Sequence, residues 1–338
     1  MKRLIVILIP LFFVALLAGC SLIDDDLSVC DKELVIDYDL QLHTALSVQL
    51  QAELAAQTEA PVRRALEQWL APVFTDKAQD IDLRFYSEEK DDMRYRISEV
   101  INDNRTSYSI RLPQENYMHL AVANIDDNRE VHMQDGDHST TMQLRLSDKQ
   151  EVSSLNTGVF TARLPMEVND STLHFDVHLY MITAAVAVVI DTTDCDSLVS
   201  LSGTMEGSAS GFSVRDSSFL FTSAPTMLLE NVPIEPSSAA TLRRAAAEET
   251  AQYACMATVG LATQDDASWQ VQINATLIGN RHTTTTITVE QPLQAGTLRV
   301  LKMKMGNNGG LNPEEGQKEV GVTVALDWKQ GGGFDVDI

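Results

Sequence analysis

Apolar positions along most of the chain recur with a period of two, the spacing that sends successive side chains to opposite faces of a strand. In Leu173-His174-Phe175-Asp176-Val177-His178-Leu179-Tyr180-Met181 the odd positions are apolar and the even ones mostly polar. Such a strand rests one face on a core and wets the other. The same alternation marks Ile81 to Phe85, Tyr108 to Leu112, Leu301 to Met305 and Val320 to Trp328. Val186 to Ile190 is apolar without a break, as for a central strand covered on both faces. Polar turn chemistry separates the runs at Glu88 to Asp92, Asp126-Asp127-Asn128, Asp135-Gly136-Asp137 and Asn307-Asn308-Gly309-Gly310. The Thr283 to Thr286 run suits an exposed strand. Many short strands with polar turns predict an all-β chain of antiparallel β-sandwiches.

Two stretches break the strand period. Pro61 to Leu70 places Val62, Leu66 and Trp69 on one face of a helix, with Pro61 early in it and Thr58 as its cap. Pro236 to Glu249 is Ala-rich, and Ser237 or Ser238 is placed to cap it. The polar stretch from Ser147 to Ser154, followed by fresh strands from Val159, sets a domain boundary within about residues 147–165. The predicted organisation is therefore residues 1–19 as a signal peptide and 20–32 as a lipidated tether. Residues 33–152 then form an N-terminal β-sandwich domain and 153–338 a C-terminal one.

The N-terminus supplies the address. Lys2 and Arg3 precede an apolar run from Leu4 to Leu17, and Leu17-Ala18-Gly19-Cys20 follows. A short basic segment, an apolar stretch and small residues at its end make a secretory signal. A buried helix would need an apolar stripe, and this run is apolar all round. The last four residues resemble the lipobox of bacterial lipoproteins, in which cleavage precedes the Cys and its thiol is diacylated. Palmitate-type chains on Cys20 would anchor the chain without spanning the membrane, each buried methylene adding roughly 0.8 kcal/mol. Asp24-Asp25-Asp26 follow closely, read equally as a surface-export signal of Bacteroidetes-type lipoproteins or as a solvated tether.

Composition narrows the partners. The 338 residues hold 48 acidic against 25 basic side chains, a formal charge of −23, with 44% hydrophobic and 6% aromatic residues. That apolar share supports a packed core. The acidic balance excludes nucleic acid as the natural partner, because a polyanion repels a surface of its own sign. Cys30, Cys195 and Cys255 show no CxxC spacing. At most one disulfide can form among them, its pairing open, and they read as buried small apolar residues.

Catalytic and metal chemistry were sought in the same residues. His174, Asp176 and His178 share one strand face, but same-face neighbours stand about 6.5–7 Å apart. The two His lie about twice that apart, too far for one zinc with ligands near about 2 Å. His132, Asp135, Asp137 and His138 surround a turn that lacks the final Glu of a calcium loop. No GxSxG, P-loop, HExxH or dinucleotide fingerprint occurs. Trp69, Trp269 and Trp328 could form a sugar platform but read more simply as packing residues. The expectation is no enzyme, no cofactor and no metal.

Cys20-Ser21-Leu22-Ile23-Asp24-Asp25-Asp26-Leu27-Ser28-Val29-Cys30 resembles the start of the fimbrial anchor (FimB-like) subunits of Bacteroidales type V pili. So do Asp80 to Tyr86 as a first-domain strand, and Leu112-Pro113-Gln114-Glu115-Asn116-Tyr117 as a Leu-Pro turn before a Tyr-led strand. Val159-Phe160-Thr161 and Leu173 to Asp191 are similar to the opening of the second domain and its paired first strands. The resemblance implies two tandem transthyretin-like β-sandwich domains. It also implies a lipoprotein that holds the base of a fimbria at the cell outer membrane, structural and adhesive, with stalk subunits as partners. In that family, stalk subunits are thought to join by strand exchange, in which an added strand satisfies an open apolar groove. Here Gly331-Gly332-Gly333 precede Phe334-Asp335-Val336-Asp337-Ile338. Phe334, Val336 and Ile338 form a candidate donor face on a glycine hinge, and a final edge strand or frayed tail is the simpler alternative. The rival function is a surface glycan-binding lipoprotein of the same build, which would need exposed aromatics.

Overall fold

The computed structural model describes residues 33–42, 46–75, 77–89, 93–100, 106–126, 128–136, 139–234, 253–314 and 320–327. Cys20, Cys30, the 236–249 stretch, Trp328 and the candidate donor residues Phe334, Val336 and Ile338 lie outside the described residues.

The chain opens with β1 (Glu33–Leu42), α1 (Leu46–Gln57) and α2 (Ala60–Leu70). Next come β2 (Asp80–Ser87), β3 (Met93–Val100), β4 (Ser107–Pro113) and β5 (Asn116–Ala123). A hairpin of β6 (Val131–Asp135) and β7 (Thr140–Leu144) follows, then β8 (Glu151–Val152), β9 (Phe160–Glu167) and β10 (His174–Met181). The remainder is β11 (Thr183–Asp191), β12 (Leu198–Glu206), β13 (Gly211–Ser213), β14 (Ser218–Leu220) and β15 (Thr226–Asn231). After it stand β16 (Tyr253–Leu261), β17 (Trp269–Leu277), β18 (Arg281–Val289), β19 (Leu298–Met305), β20 (Leu311–Pro313) and β21 (Val320–Asp327).

The first sheet runs β3-β2-β5-β9-β10-β1-β4 and folds over on itself. Strand β10 makes the corner: residues 174–179 pair with β1, whereas Tyr180 and Met181 pair with β9. A strand that changes layers in this way closes a sandwich. The apolar face of β10 (Val177, Leu179, Met181) is buried, and so are Ile36, Tyr38 and Leu40 of β1 and Tyr108, Ile110 and Leu112 of β4. Across the core, Tyr38 of β1 reaches His119 of β5, although three strand pairings separate them along the sheet.

The second sheet repeats the device. Its path is β20-β19-β11-β16-β15-β12-β17-β18-β21, with β8 beside β15. Strand β15 gives Met227 to Leu229 to β12 and its last two residues to β16. The path nearly closes, because the Leu311 N–H of β20 donates to Thr285 Oγ1 of β18 at 3.1 Å. Strand β11 is buried from Thr183 to Ile190 between β16 and β19, as its unbroken apolar run predicts. A small sheet, β14-β13-β7-β6, joins strands from both halves of the sequence.

The all-β, two-sandwich expectation holds, with four differences. First, β9 and β10 complete the first sandwich, so the sheets do not divide at 152/153 and β10 and β11 are not partners. The polar 147–154 stretch that suggested a boundary is a connector carrying β8, which pairs with β15 of the second sheet. Second, β1/β10, β11/β19 and β8/β15 pair in parallel within otherwise antiparallel sheets. Third, α1 precedes α2 and buries Leu46, Leu50 and Leu54, one every four residues. Thr58 closes α1, donating to Leu54 O at 2.7 Å, and does not cap α2, which buries Leu70 in place of Trp69. Fourth, Thr283 and Thr285 are buried, because they share the inward face of β18 and bond Asn308 O and the Leu311 N–H across the sandwich.

Gly158 fixes how α2 meets the first sandwich. A Cβ at Gly158 would sit 2.2 Å from the carbonyl oxygen of Val73, just past the end of α2. Gly158→Ala is expected to cost about 1–3 kcal/mol through overpacking. Urea unfolding of the purified variant checks this, and an unchanged midpoint would show that the helix end yields freely.

Candidate functional site

Strand β2 is buried on both faces, although alternate residues are polar. Ile81, Leu83 and Phe85 face the sandwich core, in register with Ala123, Ala121 and His119 of β5. Asp82, Arg84 and Tyr86 face the other way, and the β6–β7 hairpin covers them. The Arg84 guanidinium, 1% exposed, donates from Nε to Asp82 Oδ1 at 2.7 Å and from Nη1 to Thr140 Oγ1 at 3.0 Å. It also pairs with Asp135 from the end of β6. Arg96 stands directly opposite Arg84 on β3 and donates to Asp82 Oδ2 from Nη2 at 2.6 Å. Like charges in register repel. Here Asp82 and Asp135 between them balance the two arginines. Tyr86 completes the seam, its hydroxyl 2.6 Å from Thr140 Oγ1.

A bowl of about 480 Å3 opens beside this cluster. Its wall includes Asp80, Asp82, Arg96, Arg129, His132 and Arg145. Asp80 is fully committed, accepting the backbone N–H groups of Ile125 and Asp126 at 2.9 and 3.2 Å. Arg145 donates from Nε to Val131 O at 3.0 Å, which lays its guanidinium over β6. Below, Asn124 takes a left-handed φ of 64° and ties the end of β5 to Gly158 O, and Asn128 bridges to Thr157. These bonds hold the turn that carries Arg129.

On the core side, His119 is wholly buried and stacked on Phe85 at 4.3 Å. Its Nδ1 donates to Arg84 O at 2.9 Å, and its Nε2 accepts the Tyr38 hydroxyl at 2.6 Å. Burial dominates and holds the imidazole neutral, lowering its pKa to about 4. The same burial raises the Tyr38 phenol well above its ordinary value.

The outer face of β1 and β10 answers the metal question raised by the sequence. His174 and His178 do not converge, but the parallel pairing brings Asp39 beside Asp176. His174 Nε2 lies 3.5 Å from Asp176 Oδ1 and 3.8 Å from Asp39 Oδ2. Among the described residues these three are the group whose donor atoms approach closely enough to hold a metal ion. Reading one strand at a time missed Asp39. All three are solvent-accessible. Asp135 turns inward to Arg84, and Asp137 and His138 lie outside the described residues. Trp269 is buried and donates from Nε1 to Gln291 O at 2.7 Å, which makes it a packing residue. Cys195 and Cys255 are buried free thiols, and burial pushes Cys255 up to about 12. No helix among the described residues is long and apolar enough to cross a membrane.

Residues 70–219, from the end of α2 into β14, match the family model described as Mfa2, fimbrillin-A associated anchor proteins Mfa1 and Mfa2. The resemblance to fimbrial anchors holds. The matched stretch contains the Arg84 cluster, the bowl and His119. Solved structures share the fold at low identity. A candidate adhesin from Bacteroides thetaiotaomicron superposes with a TM-score of 0.52 at 12% identity, over 85% of this chain and 95% of that one. One from Bacteroides ovatus gives 0.52 at 9% identity, over 90% and 98%. A candidate polysaccharide-binding protein from B. thetaiotaomicron gives 0.50 at 9%, over 84% and 99%. At such identities these structures speak for the fold alone. No curated protein sequence matches the chain.

Proposed function

We propose that the chain is a lipid-anchored subunit that holds a fimbria at the cell outer membrane, structural and adhesive in role and without catalysis. The observation that carries this reading is the match of residues 70–219 to the fimbrial anchor family. The Leu17-Ala18-Gly19-Cys20 sequence supports the lipid on Cys20. Sandwiches in which one strand passes from layer to layer, as β10 and β15 do, suit a load-bearing part, because backbone hydrogen bonds tie the two layers together. The stalk partner is a second fimbrial subunit that receives an extended segment. Phe334, Val336 and Ile338 are the candidate residues offered to it.

Cells carrying Cys20→Ala test the anchor. Labelled palmitate should no longer enter the protein, and fimbriae should appear in the medium in place of the cell surface. Fibres that stay attached despite the loss of label would overturn the reading. The same count of shed fibres, made on a chain lacking Phe334 to Ile338, shows whether that end grips the stalk.

A further inference from the structure

The bowl beside β6 is left with a particular set of uncommitted groups. Asp82 and Asp135 already neutralise Arg84 and Arg96, and Asp80 serves two backbone amides. The Arg129 guanidinium makes no ion pair or hydrogen bond among the described residues, and Arg145 spends only its Nε. His132 Nδ1 is buried against the bowl without a hydrogen-bond partner among the described residues. An orphaned buried nitrogen calls for a ligand or an ordered water. Arg129 and Arg145 thus bring two guanidinium forks with uncommitted N–H groups to the bowl of a chain of charge −23. Open forks of this kind favour a carboxylate, which a guanidinium grips with two parallel hydrogen bonds.

The remaining groups select the kind of acid. Asp126 and Ser98 also line the bowl, and the carboxylate of Asp126, without a partner among the described residues, can accept hydroxyl donors. An extended peptide is poorly served here. Val131 on the β6 edge has its N–H on Asn128 O at 3.2 Å and its carbonyl on Arg145, so no backbone pair remains there for an added strand. A compact ligand with one carboxylate and several hydroxyls uses the cations, the imidazole and the acid together. The volume, about 480 Å3, falls in the ordinary range for small-molecule sites.

We infer that this bowl binds a uronic-acid residue of an acidic glycan, through charge-assisted hydrogen bonds in place of the aromatic platform expected for a glycan-binding surface. Its carboxylate lies on Arg129 and Arg145, and its hydroxyls reach His132 Nδ1 and Asp126. The site stands apart from lipid anchoring and stalk attachment, and would operate whether or not either holds.

Calorimetric titration of the full chain with trigalacturonate at low salt tests it, with neutral galactotriose and triglutamate as comparison probes. Trigalacturonate should bind with a Kd below about 1 mM and each other probe at least about tenfold more weakly. Arg129→Ala and Arg145→Gln should each weaken trigalacturonate binding by about tenfold or more, whereas Arg64→Ala on α2 leaves it unchanged. Melting curves of each variant establish that the fold is intact. Absent binding, equal binding of galactotriose, triglutamate binding as tightly, or an equal loss in Arg64→Ala would each overturn the assignment.

Discussion

Replacing Arg84 with Ala should destabilise the protein by about 3–5 kcal/mol, among the largest effects of any single substitution in the first sandwich. The side chain is 1% exposed and serves Asp82, Asp135 and Thr140 at once. Without it, Asp82 keeps only Arg96 among the described residues, and Asp135 loses the cation that pulls the hairpin onto β2. A buried carboxylate left partly unpaired incurs its desolvation cost in full. Arg96→Ala removes a partner of the same Asp82 but should cost less than about 1 kcal/mol, because its side chain is 46% exposed. Urea unfolding of both variants decides the matter. Equal losses would mean that the cluster is held by solvent-screened charge and not by the buried guanidinium.

That cluster also shows where the sequence was legible and where it was not. Alternation in 173–181 gave β10 the correct inward face, and the unbroken Val186 to Ile190 run gave β11 its place between two neighbours. In Asp80 to Tyr86 the same rule named the strand but misjudged its polar face. Asp82, Arg84 and Tyr86 look like solvent-facing residues, and they are buried because the hairpin some fifty residues later brings Thr140 and Asp135 to meet them. A pattern within one strand reports its period, not what will cover its wet side. Asp39 was overlooked for a related reason: parallel pairing with β10 is a property of two distant segments. The sandwich boundary failed differently. A polar stretch marks a connector as readily as a division between domains, and here it carries β8 into the second sheet while the apolar face of β10 belongs to the first core. The signal for α1 was present in Leu46, Leu50 and Leu54, whose spacing of four marks a narrow helical stripe.

Acidification should remove about 3 kcal/mol of stability through His119 alone, over the window from pH 6.5 down to about 4. The direction follows from which state takes the proton first. In the unfolded chain the imidazole is protonated below about pH 6.5. The folded site resists until pH reaches about 4, because burial disfavours the charged ring and Nε2 already accepts the Tyr38 hydroxyl. Within that window the unfolded state holds the extra proton, so stability falls as pH falls and levels off below it. Carboxylates titrate over part of the same range, and a His119→Gln variant separates the two contributions. At pH 7.5 the variant should be clearly less stable than the parent, since it loses the ring stacked on Phe85. Towards pH 4 the gap should narrow by about 3 kcal/mol, because the parent loses its His119 contribution and the variant has none to lose. Chemical unfolding at four or five pH values reads this directly. A gap that stays constant with pH would mean that the folded core admits the imidazolium, through a water path or a released Tyr38.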